Sequence, residues 1–152
     1  MPSRRATEPG GNISYEEYKG ALALGLAGTG RLDEALVALD DARAADREGA
    51  DGHGWYAPEL LRIKGEVLLQ QAADQSTLAA EDCFNQAAQM AREQGALFWE
   101  LRVALSVARL RMSQGRHHEA RAPLASVYDR FTEGFATADL QAARTLLEGL
   151  PP

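Results

Sequence analysis

The chain has 152 residues, 45% hydrophobic and 25% charged, which suits one folded domain and excludes a disordered polyelectrolyte. Sixteen Lys and Arg against 22 Asp and Glu leave a formal charge of −6, so a nucleic-acid polyanion meets net repulsion and no nucleic-acid partner is expected. The lone Cys83 excludes an intrachain disulfide and fits a reducing, cytoplasmic setting.

Residues 1–12 carry Arg4 and Arg5 with no apolar run behind them, so neither a signal peptide nor a membrane anchor is expected. Pro2, Pro9, Gly10 and Gly11 mark a disordered lead-in to a single domain over 13–150. From Tyr15 onward apolar residues recur at helical spacing, and runs rich in Val, Ile and Thr are missing. The pattern predicts helices over 14–28, 31–48, 56–72, 77–94, 97–114 and 116–131, and a shorter one over 137–149. Gly28 and Gly30, residues 49–54 and 73–77, Gly95, Gly115 and Gly134 punctuate them.

The first six helices repeat as three hairpins. Gly30-Arg31-Leu32-Asp33-Glu34-Ala35 is echoed by Gly115-Arg116-His117-His118-Glu119-Ala120, while the middle turn is longer and lacks a glycine at that place. The alanines of the second helices, Ala35, Ala80 and Ala120, are spaced by 45 and 40 residues, the behaviour of elongated repeats. Small residues such as Ala23, Gly65 and Ala108 let paired helices approach, and Leu39, Phe84 and Leu124 fill the space between hairpins. The last segment, with Leu140, Ala143, Leu146, Leu147 and Leu150, is spaced to cap the stack before Pro151 and Pro152 stop it.

Over about residues 16–131 this pattern resembles tetratricopeptide repeats. The resemblance implies an all-α fold: a right-handed stack of three TPR-like hairpins with a C-terminal capping helix. A narrower resemblance covers about 56–150. It rests on Pro58-Glu59-Leu60-Leu61-Arg62-Ile63-Lys64-Gly65-Glu66-Val67-Leu68-Leu69, Trp99-Glu100-Leu101-Arg102, Ser106-Val107-Ala108-Arg109-Leu110, Val127-Tyr128 and Phe131-Thr132-Glu133-Gly134-Phe135. This stretch is similar to the C-terminal helical region of bacterial signalling proteins that join a nucleotide cyclase or a winged-helix domain to an ATPase. It implies a regulatory or partner-sensing tail. The upstream hallmarks of those proteins, a Gly-rich lysine loop, cyclase metal carboxylates and a DNA-reading helix, are missing here.

No residue set points to catalysis, a cofactor or a metal. Gly25, Gly28 and Gly30 lack the strand before and the lysine after that a phosphate loop needs. His117 and His118 diverge by about 100° on a helix, and His53 is remote in sequence. Cys83, beside Asp82, reads as an inert, partly buried thiol. Trp55, Tyr56, Phe98 and Trp99 open the second and third hairpins, where they either pack on the preceding repeat or line a groove.

The first helices carry the candidate groove residues. Glu59, Arg62, Glu66 and Gln70 form a polar stripe at spacings of three and four, and Arg102, Ser106, Arg109 and Ser113 form another. In one reading Glu59 and Glu66 pair with Arg102 and Arg109 across adjacent helices. In the other, Arg62, Arg102 and Arg109 offer fork-shaped donors to the carboxylates of a partner. The expectation is therefore a non-catalytic protein-interaction or regulatory module with a protein or peptide partner, itself a homo-oligomer, without a membrane partner. The alternative is a small-molecule or peptide sensor that gates a cyclase, ATPase or transcription factor.

Overall fold

The computed structural model describes residues 13–48 and 54–152, so the expected lead-in and His53 lie outside the described residues. Among the described residues the chain is all-helical: α1 (Tyr15–Gly28), α2 (Leu32–Glu48), α3 (Ala57–Gln70), α4 (Asp74–Glu93), α5 (Leu97–Ser113), α6 (His117–Tyr128) and α7 (Ala138–Gly149). None of these helices is long and apolar enough to cross a membrane. The expected bounds hold to within two residues except at two places, each off by three. Helix α4 starts at Asp74, three residues early, because an acidic first turn suits the positive end of the helix dipole even without apolar periodicity. Helix α6 ends at Tyr128, where Asp129 and Arg130 bond back to Ala125 and Val127 in a closing turn, although Phe131 continues the apolar spacing.

Each helix packs on its neighbour in sequence, and α3 also touches α1 and α5 while α5 touches α7. The core follows as linked clusters. Ala23, Ala35, Leu39 and Ala42 meet Leu60, Ile63 and Val67. Leu61, Phe84 and Ala87 meet Val103 and Leu110, and Leu101, Leu105, Ala120 and Leu124 meet Leu140 and Ala143. Helix α3 belongs to the first two clusters and α5 to the last two, so each unit buries its apolar face only by leaning on the next. Arg121 donates through Nη1 to the Leu147 and Leu150 carbonyls at 2.6 and 3.2 Å, placing a cation at the negative end of α7.

Small residues set the close approaches. A Cβ built on Gly65 falls 2.9 Å from both Cδ1 and Cζ of Phe84, whose ring is 1% exposed, so α3 meets α4 at a distance only glycine allows. Gly20 plays the same part between α1 and α3, where a Cβ lies 3.2 Å from Tyr56 and 3.3 Å from Ile63.

The turn glycines explain how three helices stop. Gly30, Gly95 and Gly115 have φ of 79°, 64° and 74°. After each one the next amide, of Arg31, Ala96 or Arg116, bonds back to Leu26, Ala91 or Arg111 at 2.8–2.9 Å, the pairing of a Schellman cap. The corresponding place after α3 holds Ala72 with φ 53°. A side chain in the left-handed region costs roughly 1–2 kcal/mol, partly offset by the greater chain entropy of glycine. Ala72→Gly is therefore expected to stabilise the fold by about 0.5–1 kcal/mol, read as a melting temperature raised by about 1–4 °C. A lower melting temperature would contradict this.

Candidate functional site

Helix α3 is packed by α1, α2, α4 and α5, and this central position decides the fate of its polar stripe. Glu59 is 2% exposed and Arg62 8%. One turn apart, they form a fork: Arg62 Nε donates to Glu59 Oε2 and Nη2 to Oε1, each at 2.8 Å. Arg62 Nη1 continues to Glu66 Oε1 at 3.4 Å and to Ser106 Oγ at 3.3 Å, and Ser106 Oγ donates to Glu66 Oε1 at 2.5 Å. From α5, Arg102 Nη1 reaches Glu59 Oε1 at 2.9 Å, and its Nε lies 3.7 Å from Asp139 of α7. Burial alone would lower the Arg62 pKa, but its bonds and charge contact with Glu59, helped by Glu66, leave it raised.

Glu59, Arg62, Glu66, Arg102 and Ser106 thus form one ion cluster, buried at Glu59 and Arg62 and partly exposed at Glu66 and Arg102, that ties α3 to α5 and α7. Pairing across helices occurs between Glu59 and Arg102, as one sequence reading had it. Glu66 departs from that reading by turning to Arg62 and Ser106, because the short Ser106 side chain opens room for both one turn before Arg109. Gln70 and Arg109 are exposed and stand outside the cluster.

The aromatic residues meet at the beginnings of α3 and α5. The Trp99 ring lies 5.9 Å from Trp55, 5.5 Å edge-on from Tyr56 and 5.4 Å from Phe98. The Arg102 guanidinium sits 6.0 and 5.9 Å from the Phe98 and Trp99 ring centres. These rings pack on one another, yet Trp55 and Phe98 stay 48% and 45% exposed. Gln94 Nε2 donates to the Gly54 carbonyl at 2.8 Å and ties the α4–α5 turn to this end. Burial raises the Tyr56 pKa, with Glu59 adding to the effect, so its hydroxyl stays protonated. A groove of about 310 Å³ beside Phe98, lined also by Leu97, Arg130, Phe131 and Leu140, extends the surface.

A feature the stripes did not announce lies on the opposite side of α5. A cleft of about 490 Å³ runs between α4 and α6, lined along α5 by Glu100, Val103, Val107 and Arg111 and closed by Arg92 and Arg130 among others. Glu100 is 5% exposed, and Arg130 Nη1 donates to its Oε2 at 2.7 Å.

The remaining candidates are placed simply. Gly25 and Gly28 lie within α1 and Gly30 in the turn after it. His117 and His118 open α6 and are exposed. Cys83 is buried in the α3–α4–α5 core, and burial pushes its thiol pKa up. Comparison with family models, with characterised proteins and with solved structures finds no match.

Proposed function

We propose that this chain is a non-catalytic protein-interaction or regulatory module built as a right-handed, TPR-like stack of three hairpins with α7 as its cap, acting in bacterial signalling. The reading is supported by helices that pack on their sequence neighbours, by core clusters that share α3 and α5, and by repeated capped turns. The observation that carries the binding role is the half-exposed aromatic end with Arg102 across its rings, since aromatic residues and arginine dominate the energetics of protein interfaces. In this proposal Arg102 serves both the buried cluster and the partner, while Arg62, Glu59 and Glu66 hold the helices together. Affinity capture from the native cell extract, followed by mass spectrometry, tests the reading. A partner should be enriched by the wild-type protein and lost from Trp55→Ala/Phe98→Ala. Retention of the same partners by that variant would count against it.

A second reading, a peptide or small-molecule sensor that gates a cyclase, ATPase or transcription factor, is favoured by the cleft along α5. The chain also offers a surface for self-association. Between α1 and α2, Leu22, Leu26, Val37 and Ala38 line an apolar groove of about 340 Å³, rimmed by Lys19, Asp33, Glu34 and Asp41, with Leu22 and Val37 exposed where a second copy would cover them. A homo-oligomer is expected by light scattering at high micromolar concentration. A strictly monomeric mass there would contradict it.

A further inference from the structure

We propose that the cleft between α4, α5 and α6 binds an extended peptide segment whose acidic side chain or free carboxylate lies at the Arg111 end. The inference rests on the reading of the chain as a binding module and assigns a ligand class to a second surface. Among the described residues two buried side-chain polar atoms have no hydrogen-bond partner, Glu100 Oε1 and Arg111 Nε, and both residues line this cleft. Such atoms are rare in folded proteins because each forfeits its hydration without replacement, so two in one cleft call for a common cause. One further atom of each side chain is engaged. Glu100 Oε2 holds Arg130, and Arg111 Nη1 lies 3.0 Å from Glu119. The two unpaired buried atoms are one acceptor and one donor, each shielded from solvent until a small turn of its side chain presents it to a group seated in the cleft. The final torsion of Glu is broad enough to allow that turn.

The geometry selects the ligand. Glu100 and Arg111 are eleven residues apart on α5, about 16.5 Å at 1.5 Å per residue, the length of about five residues of extended chain. An extended backbone supplies an N–H for Glu100 and a carbonyl or carboxylate for Arg111, whereas a helix spends its N–H groups internally and a fatty acid has none. Between the two ends Val103, Val107, Val127 and Pro123 offer an apolar floor for side chains. Arg92, Arg111 and Arg130 against Glu100 make the lining cationic on a chain of formal charge −6, which favours an acidic peptide.

Fluorescence anisotropy of the full chain with a pool of fluorescein-labelled hexapeptides tests this. Their four central positions are randomised among alanine, valine, leucine and serine, and they end in aspartate with a free carboxylate. Saturable binding below about 100 µM is expected. It should weaken at least about tenfold for the same pool ending in lysine amide and for Arg111→Met, and stay unchanged in Arg109→Ala on the opposite face. Methyl resonances of Val103, Val107 and Val127 in the wild-type protein should shift on binding, a readout independent of how the variants fold. No binding up to about 1 mM, equal affinity for the lysine pool, shifts confined to the Trp55 and Phe98 end, or tighter binding of dodecanoate than of the peptides would each overturn the proposal. A wild-type protein that binds no peptide but captures a partner lost from Trp55→Ala/Phe98→Ala would remove the cleft ligand alone, and one that binds peptide while that variant retains the same partners would remove the aromatic-end reading alone.

Discussion

Replacing Glu59 by Ala is expected to lower the unfolding free energy by about 3–5 kcal/mol, the range for breaking a buried ion pair from one side. The substitution leaves the Arg62 guanidinium, 8% exposed, without the carboxylate that accepts two of its bonds, and it removes the anion that Arg102 reaches at 2.9 Å. The remaining acceptors, Glu66 and Ser106 at 3.4 and 3.3 Å, serve only Nη1. At about 2–4 °C per kcal/mol for a chain of this size, the melting temperature should fall by about 6–20 °C. Removing both charges should hurt less: Glu59→Leu/Arg62→Met is expected to recover most of the loss, because packed apolar residues often equal a buried pair. Arg109→Ala, outside the cluster, should change stability by less than about 0.5 kcal/mol. A Glu59→Ala protein that melts within 2 °C of wild type would mean the ion cluster does not hold α3 to α5.

The second large effect is at the α3–α4 crossing. Phe84→Ala should cost about 3–5 kcal/mol, since the ring is 1% exposed and fills the contact between Leu61, Ala87 and Val103. Gly65→Leu should cost at least about 1–3 kcal/mol, because its side chain begins inside that ring and the helices must part to admit it. The two sites are coupled. Gly65→Ala should destabilise the wild-type protein but be neutral or stabilising in a Phe84→Ala background, where the added methyl enters vacated space and alanine favours the helix. Thermal melts of the four proteins give the cycle, and additive effects would show that Gly65 and Phe84 do not share the crossing.

How much of this was legible follows from which forces are local. Helix positions were readable because apolar spacing and turn glycines act over a few residues, and Gly30, Gly95 and Gly115 all take the left-handed conformation that stops a helix. Asp74 to Ser76 carry no apolar period, so the early start of α4 was invisible to that signal. The polar stripes were visible as spacing along α3 and α5. Whether they face water was not, since burial of Glu59 and Arg62 comes from four helices closing around α3. That is also why Arg109, in register with Arg102, ends up outside the cluster. The cleft lining on α5, Glu100, Val103, Val107 and Arg111, is spaced by three and four residues like any packed face, so spacing alone does not mark a cleft. Glu100 and Arg111 sit on α5 among apolar residues, Arg130 follows α6, and only the packing of α6 on α5 brings Arg130 to Glu100. The repeated polar stripe lies on the other face of α5.

The binding role itself is tested most directly at the two tryptophans, since both Trp55 and Trp99 belong to the aromatic end. Protein labelled with 5-fluorotryptophan should give two fluorine resonances, assigned by Trp55→Phe. On titration with the captured partner, the Trp55 resonance should shift or broaden in a saturable way as its half-exposed ring is covered, with a smaller change at the packed Trp99 ring. If the partner saturates the protein by an independent measure and neither resonance moves, the partner binds elsewhere and the account of the aromatic end as the interaction surface is wrong.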